Sequence, residues 1–477
     1  MNKRDFLKKS GIGALGLMAA PSVLHAKSTT SPDGKLRTAH IGVGNMGAED
    51  LRDISSHAQV EVVALCDVDA INLSAARKLH PKARVFFDYR VLFEEMADEI
   101  DAVIVSTPDH THAPASLLAM ENNKHVYCQK PLTHYVSESR AMNTMAKEKG
   151  LITQMGIQVH SFYDYMLATL LIQDGIIGKV HTVHAWSPKN WGYDGAPPEG
   201  EDEVPPQVDW NLWLGTSAKR PYKEGYYHPG NWRKLVDYGC GTLGDMGVHI
   251  FDTPYNALNL DVPMTIKNEC RAPNGYGFPV NNTVTYEFPG TKYTGKTLKW
   301  IWYDGPGMPK THEDLILPGA KTTKKVDHKA QSMEELTSLE AKAMEEGQLP
   351  EQGAMFIGTK GRLLLPHFMQ LPRKIKNGKY VDISKDIERL TEKYNLSEPS
   401  RNYAADAPKH YHQFVDACLG KDKCSAPFSY AARLTETILL GVIAGRFPNQ
   451  TLHWDAENAK FAEEEANQYL AGDYRDF

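Results

Sequence analysis

The sequence has no internal apolar run approaching the roughly 20 residues that a membrane-spanning helix needs, so a helical integral membrane protein is excluded. It has no surplus of positive charge either. Its 53 Lys and Arg stand against 59 Asp and Glu, for a net charge of -6, which excludes nucleic acid or an anionic membrane as the main partner. Cysteine is scarce and scattered: Cys66, Cys128, Cys240, Cys270, Cys418 and Cys424, with no Cys-x-x-Cys pair. Cys66 and Cys128 end apolar runs and read as buried thiols, whereas Cys418 and Cys424 are spaced to pair across a loop in an oxidising compartment. No internal repeat occurs. What is present, 42% hydrophobic and 23% charged residues over 477 positions, is the balance of a soluble globular chain long enough for two domains, with a small molecule as its expected ligand.

The N-terminus is read separately. A basic start, Asn2 to Lys9, precedes a short apolar stretch from Gly11 to Ala20, then Pro21 and Leu24-His25-Ala26. Residues 1–26 therefore read as a signal peptide and residues 27–35 as a Ser/Thr-rich linker. Lys3-Arg4-Asp5-Phe6-Leu7-Lys8 is similar to the twin-arginine export motif with Lys in the first position, so a periplasmic or secreted protein is expected.

From Leu36 to Gln154 short apolar runs (Thr38–Val43, Val60–Cys66, Val85–Phe87, Ala102–Ser106, His125–Cys128, Leu151–Gln154) alternate with amphipathic stretches such as Ala70–Leu79, Ala113–Asn122 and Ser137–Lys149. That alternation predicts an α/β domain over residues 36–155 with a doubly wound parallel sheet. Residues 156–477 read differently. A helix over Phe162–Gln173 is followed by strand-like runs at Lys179–Trp186, Thr283–Phe288, Thr297–Trp302 and Gly361–Leu365, a hairpin turn at Gly358–Gly361, and helices near His410–Leu419 and Tyr430–Ala444. The charged stretch Ser332–Glu346 reads as a solvated helix. Long loops rich in Pro, Gly, Trp and Tyr, notably residues 187–229, are the kind that carry function inside a folded domain.

Gly42-Val43-Gly44-Asn45-Met46-Gly47 follows the first strand and opens a helix. The first Gly permits the turn, the second lets backbone approach a pyrophosphate, and the third allows close helix packing, with the phosphates against the positive helix end. Asp67 ends the second strand where a carboxylate accepts hydrogen bonds from a ribose diol. That charge repels a 2′-phosphate and Val68 brings no cation, so NAD is expected rather than NADP.

Three further motifs carry a resemblance: Ser106-Thr107-Pro108-Asp109-His110-Thr111-His112, Gln129-Lys130-Pro131, and Gly241-Thr242-Leu243-Gly244-Asp245-Met246-Gly247-Val248-His249. With the glycine fingerprint, they resemble the glucose–fructose oxidoreductase / inositol dehydrogenase (Gfo/Idh/MocA) family over most of the chain. Asp209-Trp210-Asn211-Leu212-Trp213-Leu214-Gly215 and Asn231-Trp232-Arg233 are similar to its secreted branch. The resemblance implies a Rossmann domain followed by an α+β domain with a large, mostly antiparallel, open-faced sheet, and a homo-oligomer formed through that face. It places Thr107, Pro108 and His112 beside the cofactor and Lys130 at the nicotinamide and substrate oxygen. It makes His249 the acid/base, with Asp245 one helical turn away to orient it or the substrate. Gln129 departs from the family's Glu and removes a negative neighbour of Lys130.

Oxidising a secondary alcohol needs a hydride acceptor, a base and a group that steadies the oxygen. Seven of the eight Trp fall between Trp186 and Trp302, and aromatic faces suit sugar C–H surfaces. Trp191, Tyr227, Trp232, Arg233 and His160 are accordingly expected to bind substrate, with about half of the clustered aromatics serving only as anchors. His110 and His112 lack a carboxylate or thiolate to complete a ligand set, so no metal is expected. Three functions remain: a dehydrogenase of a sugar, glycoside or polyol; an NAD-dependent glycosidase or lyase acting through transient C3 oxidation; and a non-catalytic sugar-binding protein.

Overall fold

A computed structural model of the protein describes residues 34–320, 324–325, 333–397 and 402–477. The signal peptide expected over 1–26, and all of the linker but Gly34 and Lys35, lie outside the described residues.

Strands β1 (Leu36–Ile41), β2 (Val60–Cys66), β3 (Arg84–Phe86), β4 (Ala102–Val105), β5 (His125–Gln129) and β6 (Thr153–Gly156) form one sheet in the order β3-β2-β1-β4-β5-β6, every pairing parallel. Helices α1 (Met46–Ser55), α2 (Ala70–Leu79), α3 (Tyr89–Met96), α4 (Asp109–Glu121) and α5 (Val136–Lys149) make the crossovers. Strand order reverses between β1 and β4, and the crevice at such a switch point is where open α/β sheets bind ligands. The inner strands are buried on both faces, β4 at all four positions, as a sheet covered by helices requires. The helix expected from Ala113 begins four residues earlier, at Asp109, so His110 and His112 lie buried in its first turn.

Helix α6 (Tyr163–Gln173) leads into the second sheet. Its strands are β7 (Val180–Ser187), β8 (Thr265–Glu269), β9 (Asn282–Pro289), β10 (Thr294–Asp304), β13 (Gly353–Gly358), β14 (Gly361–Pro366), β15 (Arg373–Lys376), β16 (Lys379–Val381), β17 (Thr451–Asp455) and β18 (Lys460–Phe461); β11 (Lys324–Lys325) and β12 (Gln348–Leu349) pair separately. The order is β16-β15-β14-β13-β7-β10-β9-β8-β17-β18. Only β7 and β10 run parallel among the pairings of its strands. The hairpin turn expected at residues 358–361 joins β13 to β14. Short α7 (Trp210–Leu214) lies in the long loop, and the remaining helices are α8 (Val248–Ala257), α9 (Met333–Glu345), α10 (Ser384–Tyr394), α11 (Tyr403–Cys418) and α12 (Phe428–Ala444).

The two faces of the large sheet differ. On one, α8 lays Phe251 against Trp300, stacked at 4.2 Å between ring centroids, within the core that continues into the Rossmann half. On the other, Trp186, Ile301, Tyr303, Met355, Ile357, Leu364 and Ile375 are covered by Met308, Leu315, Leu317, Met344 and Leu349. Helix α9 is therefore not simply solvated as its charges suggest: Met344 is fully buried, and the buried Glu340 carboxylate accepts from the Glu351 N–H and Gln370 Nε2. All six cysteines are free, Cys418 and Cys424 included. Among the described residues no helix is long and apolar enough to cross a membrane.

Candidate active site

The carboxyl ends of β1, β4 and β5 open onto a cleft of about 690 Å³, within the size range of a cofactor pocket. On the Rossmann side the wall is mostly main chain. Gly42 has φ +83°, and a Cβ there would stand 2.6 Å from the Ser106 carbonyl oxygen; a Cβ on Gly47 would run into the Gly42 carbonyl oxygen. These two glycines let the turn fold under the end of α1. Gly44, Asn45 and Met46 line the cleft ahead of the helix, while Gly47 is packed behind them. Asp67 also lines the cleft. Its Oδ2 accepts the Val43 N–H at 2.8 Å and its Oδ1 the Asp69 N–H at 2.9 Å, so the carboxylate both fixes the turn and presents its remaining lone pairs. A bare glycine turn, a helix N-terminus and a lining carboxylate together fit a dinucleotide: the turn and helix end would hold its phosphates and Asp67 its ribose.

Thr107, Pro108 and His112 line the same cleft. His112 stands between two loops, Nδ1 at 2.8 Å from the Pro131 carbonyl oxygen and Nε2 at 2.9 Å from that of Thr107. Burial pushes its pKa down to about 4, so a neutral ring donates to one of the two. His112 thereby ties the loop after β4 to the Lys130 loop. Gln129 fixes that loop from below: its Oε1 accepts the Lys130 N–H, and its Nε2 donates to both oxygens of Asp50 at 2.9 and 3.0 Å. Asp50, fully buried on α1, also accepts from Ser106 Oγ at 2.5 Å and Tyr411 Oη at 2.8 Å. Burial raises its pKa to about 6 despite these donors. The residue that departs from the family motif is thus hydrogen-bonded on both sides.

The opposite wall supplies the reactive side chains. Lys130 Nζ donates to Asp245 Oδ1 and to the Asp245 carbonyl oxygen, both at 2.9 Å, leaving its third N–H for a ligand. Asp245 lies in one π-helical turn, Leu243–Gly247, immediately before α8; such turns recur at functional sites. Burial opposes ionisation of Asp245, but the Lys130 ammonium and the Arg233 guanidinium, Nε at 3.4 Å, hold its carboxyl well below the usual range. His249 is half-buried and lines the cleft, with Nδ1 making no hydrogen bond. Burial, reinforced by Lys130 and His367, pushes its pKa far down, so the imidazole is neutral. Arg233 lies over Trp232 at 4.2 Å and near Trp191 at 5.5 Å, a cation–π arrangement at the cleft edge.

Lys130, Asp245 and His249 are brought together, and Trp191, Trp232 and Arg233 join them in lining the cleft. Two expected substrate contacts are not there. His160 turns away to Asp252, 2.8 Å from its Oδ1, and packs on Tyr430. Tyr227, 3% exposed, is an anchor among Trp210, Trp213, Tyr238 and Tyr276. His160 is drawn off by a carboxylate 92 residues away, whereas Tyr227 is packed inside an aromatic cluster drawn mostly from its own loop.

Sequence reasoning assigned no role to Asp109, Lys189, His367, Phe368 or Tyr403, all of which line the cleft. Asp109 is the signal that was within reach, since it follows Thr107-Pro108 directly. Burial lifts its pKa to about 7, against the downward pull of Arg233 and Lys130. His367 follows β14 and is held by the Tyr165 hydroxyl, and burial pushes its pKa to about 3; no local pattern announces it. His110 is fixed by the Trp213 carbonyl oxygen at 3.0 Å.

A glycine turn, a helix N-terminus and Asp67 facing a lysine and a neutral histidine define a cleft built for NAD. Two family models agree: the NAD-binding Rossmann fold of the Gfo/Idh/MocA oxidoreductases matches residues 36–157, and their C-terminal alpha/beta domain matches residues 169–288. The chain belongs to this NAD-binding family. It is 27% identical over 203 residues to an alpha-N-acetylgalactosaminidase of Shewanella oneidensis, covering 38% of this chain and 44% of that one. It is 29% identical over 152 residues to an inositol 2-dehydrogenase of Salmonella typhimurium, covering 31% and 45%. The chain thus spans less than half the length of these curated relatives. In fold it is similar to the aldose-aldose oxidoreductase of Caulobacter crescentus, solved with glycerol, at TM-score 0.56 and 14% identity, covering 88% of this chain and 99% of that one.

Proposed function

We propose that the protein oxidises a secondary hydroxyl of a sugar, glycoside or polyol while holding NAD tightly, and does so after export to the periplasm. The observation that carries this reading is the meeting of Lys130 and the neutral His249 on the wall facing the glycine turn. Bound NAD supplies the hydride acceptor. The third N–H of Lys130 holds the substrate oxygen and steadies its growing negative charge. His249 takes the hydroxyl proton. Asp245 keeps the ammonium aimed, and Trp191, Trp232 and Arg233 offer stacking faces and donors to the rest of the ligand. Export rests on the basic and apolar pattern of residues 1–26; with free NAD scarce outside the cytoplasm, a tightly held cofactor suits that location.

A second reading is favoured by Asp109. Transient oxidation at C3 acidifies the C2 proton, and a carboxyl group whose pKa is about 7 is matched to removing that proton and returning one during elimination and hydration. The relative that is an alpha-N-acetylgalactosaminidase supports keeping it.

The test incubates the purified protein, freed of its N-terminal segment, with a panel of glycosides and follows products by mass. A keto-glycoside supports net oxidation, and free sugar without net oxidation supports the second reading. Neither product, from protein with NAD confirmed bound, overturns both and leaves a sugar-binding role.

A further inference from the structure

On the covered face of the large sheet, opposite the face that packs toward the Rossmann half, His184 of β7 is fully buried among apolar neighbours. It pairs in register with Ile301 of β10 and Met355 of β13. A buried imidazole at such a position must have its polar atoms occupied. Tyr303 Oη lies 3.1 Å from His184 Nδ1, which turns Nε2 toward the covering segment. There it meets Asp314 Oδ2 at 3.3 Å. His312, from the same segment, stacks obliquely on His184 with ring centroids 4.6 Å apart, and its Nδ1 is 3.6 Å from the same Asp314 oxygen. The three ligand atoms all lie within 4.8 Å of one another.

We propose that His184, His312 and Asp314 form a binding site for a divalent transition-metal ion of the zinc type, which clips the segment carrying His312 and Asp314 onto the sheet. The spacing supports this. Around a tetrahedral ion with bonds of about 2.0–2.1 Å, neighbouring ligand atoms stand about 3.3 Å apart, and the two measured edges to Asp314 match that figure closely. The donor set is two imidazoles and one carboxyl group, suited to zinc and unlike the all-oxygen cages of calcium or magnesium. Tyr303 fixes the outer nitrogen of His184, the orienting role expected behind a metal-ligating histidine. His312 and Asp314 are partly exposed, which gives an ion a path of entry and a fourth position for water. Two features oppose the ion. The Asp314 N–H donates to His312 Nδ1 at 3.1 Å and must give way, and Arg362 lies beside the site. The Arg362 guanidinium is committed to the Asp314 and Ile316 carbonyl oxygens, not to the carboxylate. Among the described residues this is the one grouping of three metal-ligating side chains.

The test uses the full protein, tag removed, stripped with chelator and titrated with zinc alone against a chromophoric competitor. One zinc per chain is expected, with cobalt in its place giving the intense visible bands of a tetrahedral centre. The partly exposed pair is changed together, His312→Ala with Asp314→Asn, which keeps a hydrogen-bonding group against the buried His184 Nε2. Binding then weakens by at least about 100-fold, while retained NAD and protein yield stay unchanged. Zinc should also slow proteolysis within residues 305–320 in the wild type only. Absence of zinc uptake by the wild type, or uptake of equal strength by the double variant, overturns the proposal.

Discussion

The two walls of the cleft are built by different means. The Rossmann wall is contiguous: Gly42 to Met46 and the end of β2 supply a main-chain surface whose shape is set by missing side chains and by one carboxylate, Asp67. The facing wall is assembled from residues far apart in the chain, Lys189, Trp191, Trp232, Arg233, Asp245, His249 and His367, with Asp245 held by Lys130 and Arg233 and His367 held by Tyr165. A wall of backbone tolerates little change of volume but depends on few contacts. A wall of side chains tolerates change of volume but loses chemistry one group at a time. Lys130 belongs to both, since it directly follows β5 and Asp245 aims it.

The comparison is broken most severely by Lys130→Ala or His249→Ala. Each should lower hydride transfer by about 10³-fold, the scale of a lost oxyanion donor or general base, with NAD still bound. Single-turnover reduction of retained NAD measures this directly. Near-normal rates in both variants would remove the catalytic assignment from this wall.

Asp109→Asn sharpens it. An ordinary carboxyl, near 3.8, is ionised through the neutral range; Asp109, raised by burial to about 7, is protonated below that value and charged above it. If glycoside cleavage is the net reaction, its rate should climb as pH passes through about 7 and then level. The Asn variant should lose that inflection and about 10²-fold in cleavage, while reduction of NAD changes by less than tenfold. An unchanged pH profile in the variant would leave Asp109 as a structural acid.

Gly47→Ala tests the backbone wall. Its methyl group meets the Gly42 carbonyl oxygen, so the turn must open. An overpacking cost of about 1–3 kcal/mol should appear as weaker NAD retention by roughly 10- to 100-fold, with His249 and Lys130 chemistry intact once NAD is resupplied.

The contiguous wall was legible because each of its features is local: a turn after one strand, an acid ending the next, and a lysine after the fifth. The strand order follows from the same alternation. The facing wall was legible only where a family motif ran through it, at Asp245 and His249. His367 was not, because its place depends on β14 lying near α8, a contact over more than a hundred residues that no periodicity encodes. Charge misled over Ser332–Glu346, where a single helix face buries Met344 and Glu340. Composition alone nominated the aromatic loop, which mixes lining residues such as Trp191 with anchors such as Tyr227.

Tyr227 is the place to check that last division, and the effect expected is the smallest. Its hydroxyl lies 3.4 Å from that of Tyr276, a long and weak hydrogen bond inside the aromatic cluster, and the ring makes edge contact with Tyr238 and Trp213. Tyr227→Phe keeps the ring and removes only the hydroxyl, so stability should fall by no more than about 1 kcal/mol and KM for any turned-over glycoside should change by less than twofold. Trp232→Phe, made beside it, removes ring area that does line the cleft and supports Arg233, so its KM should rise clearly more. Measured together, the pair separates an anchor from a contact. Equal KM shifts in the two variants would show that the aromatic cluster acts on the ligand as one unit and that the wall reaches deeper than its lining.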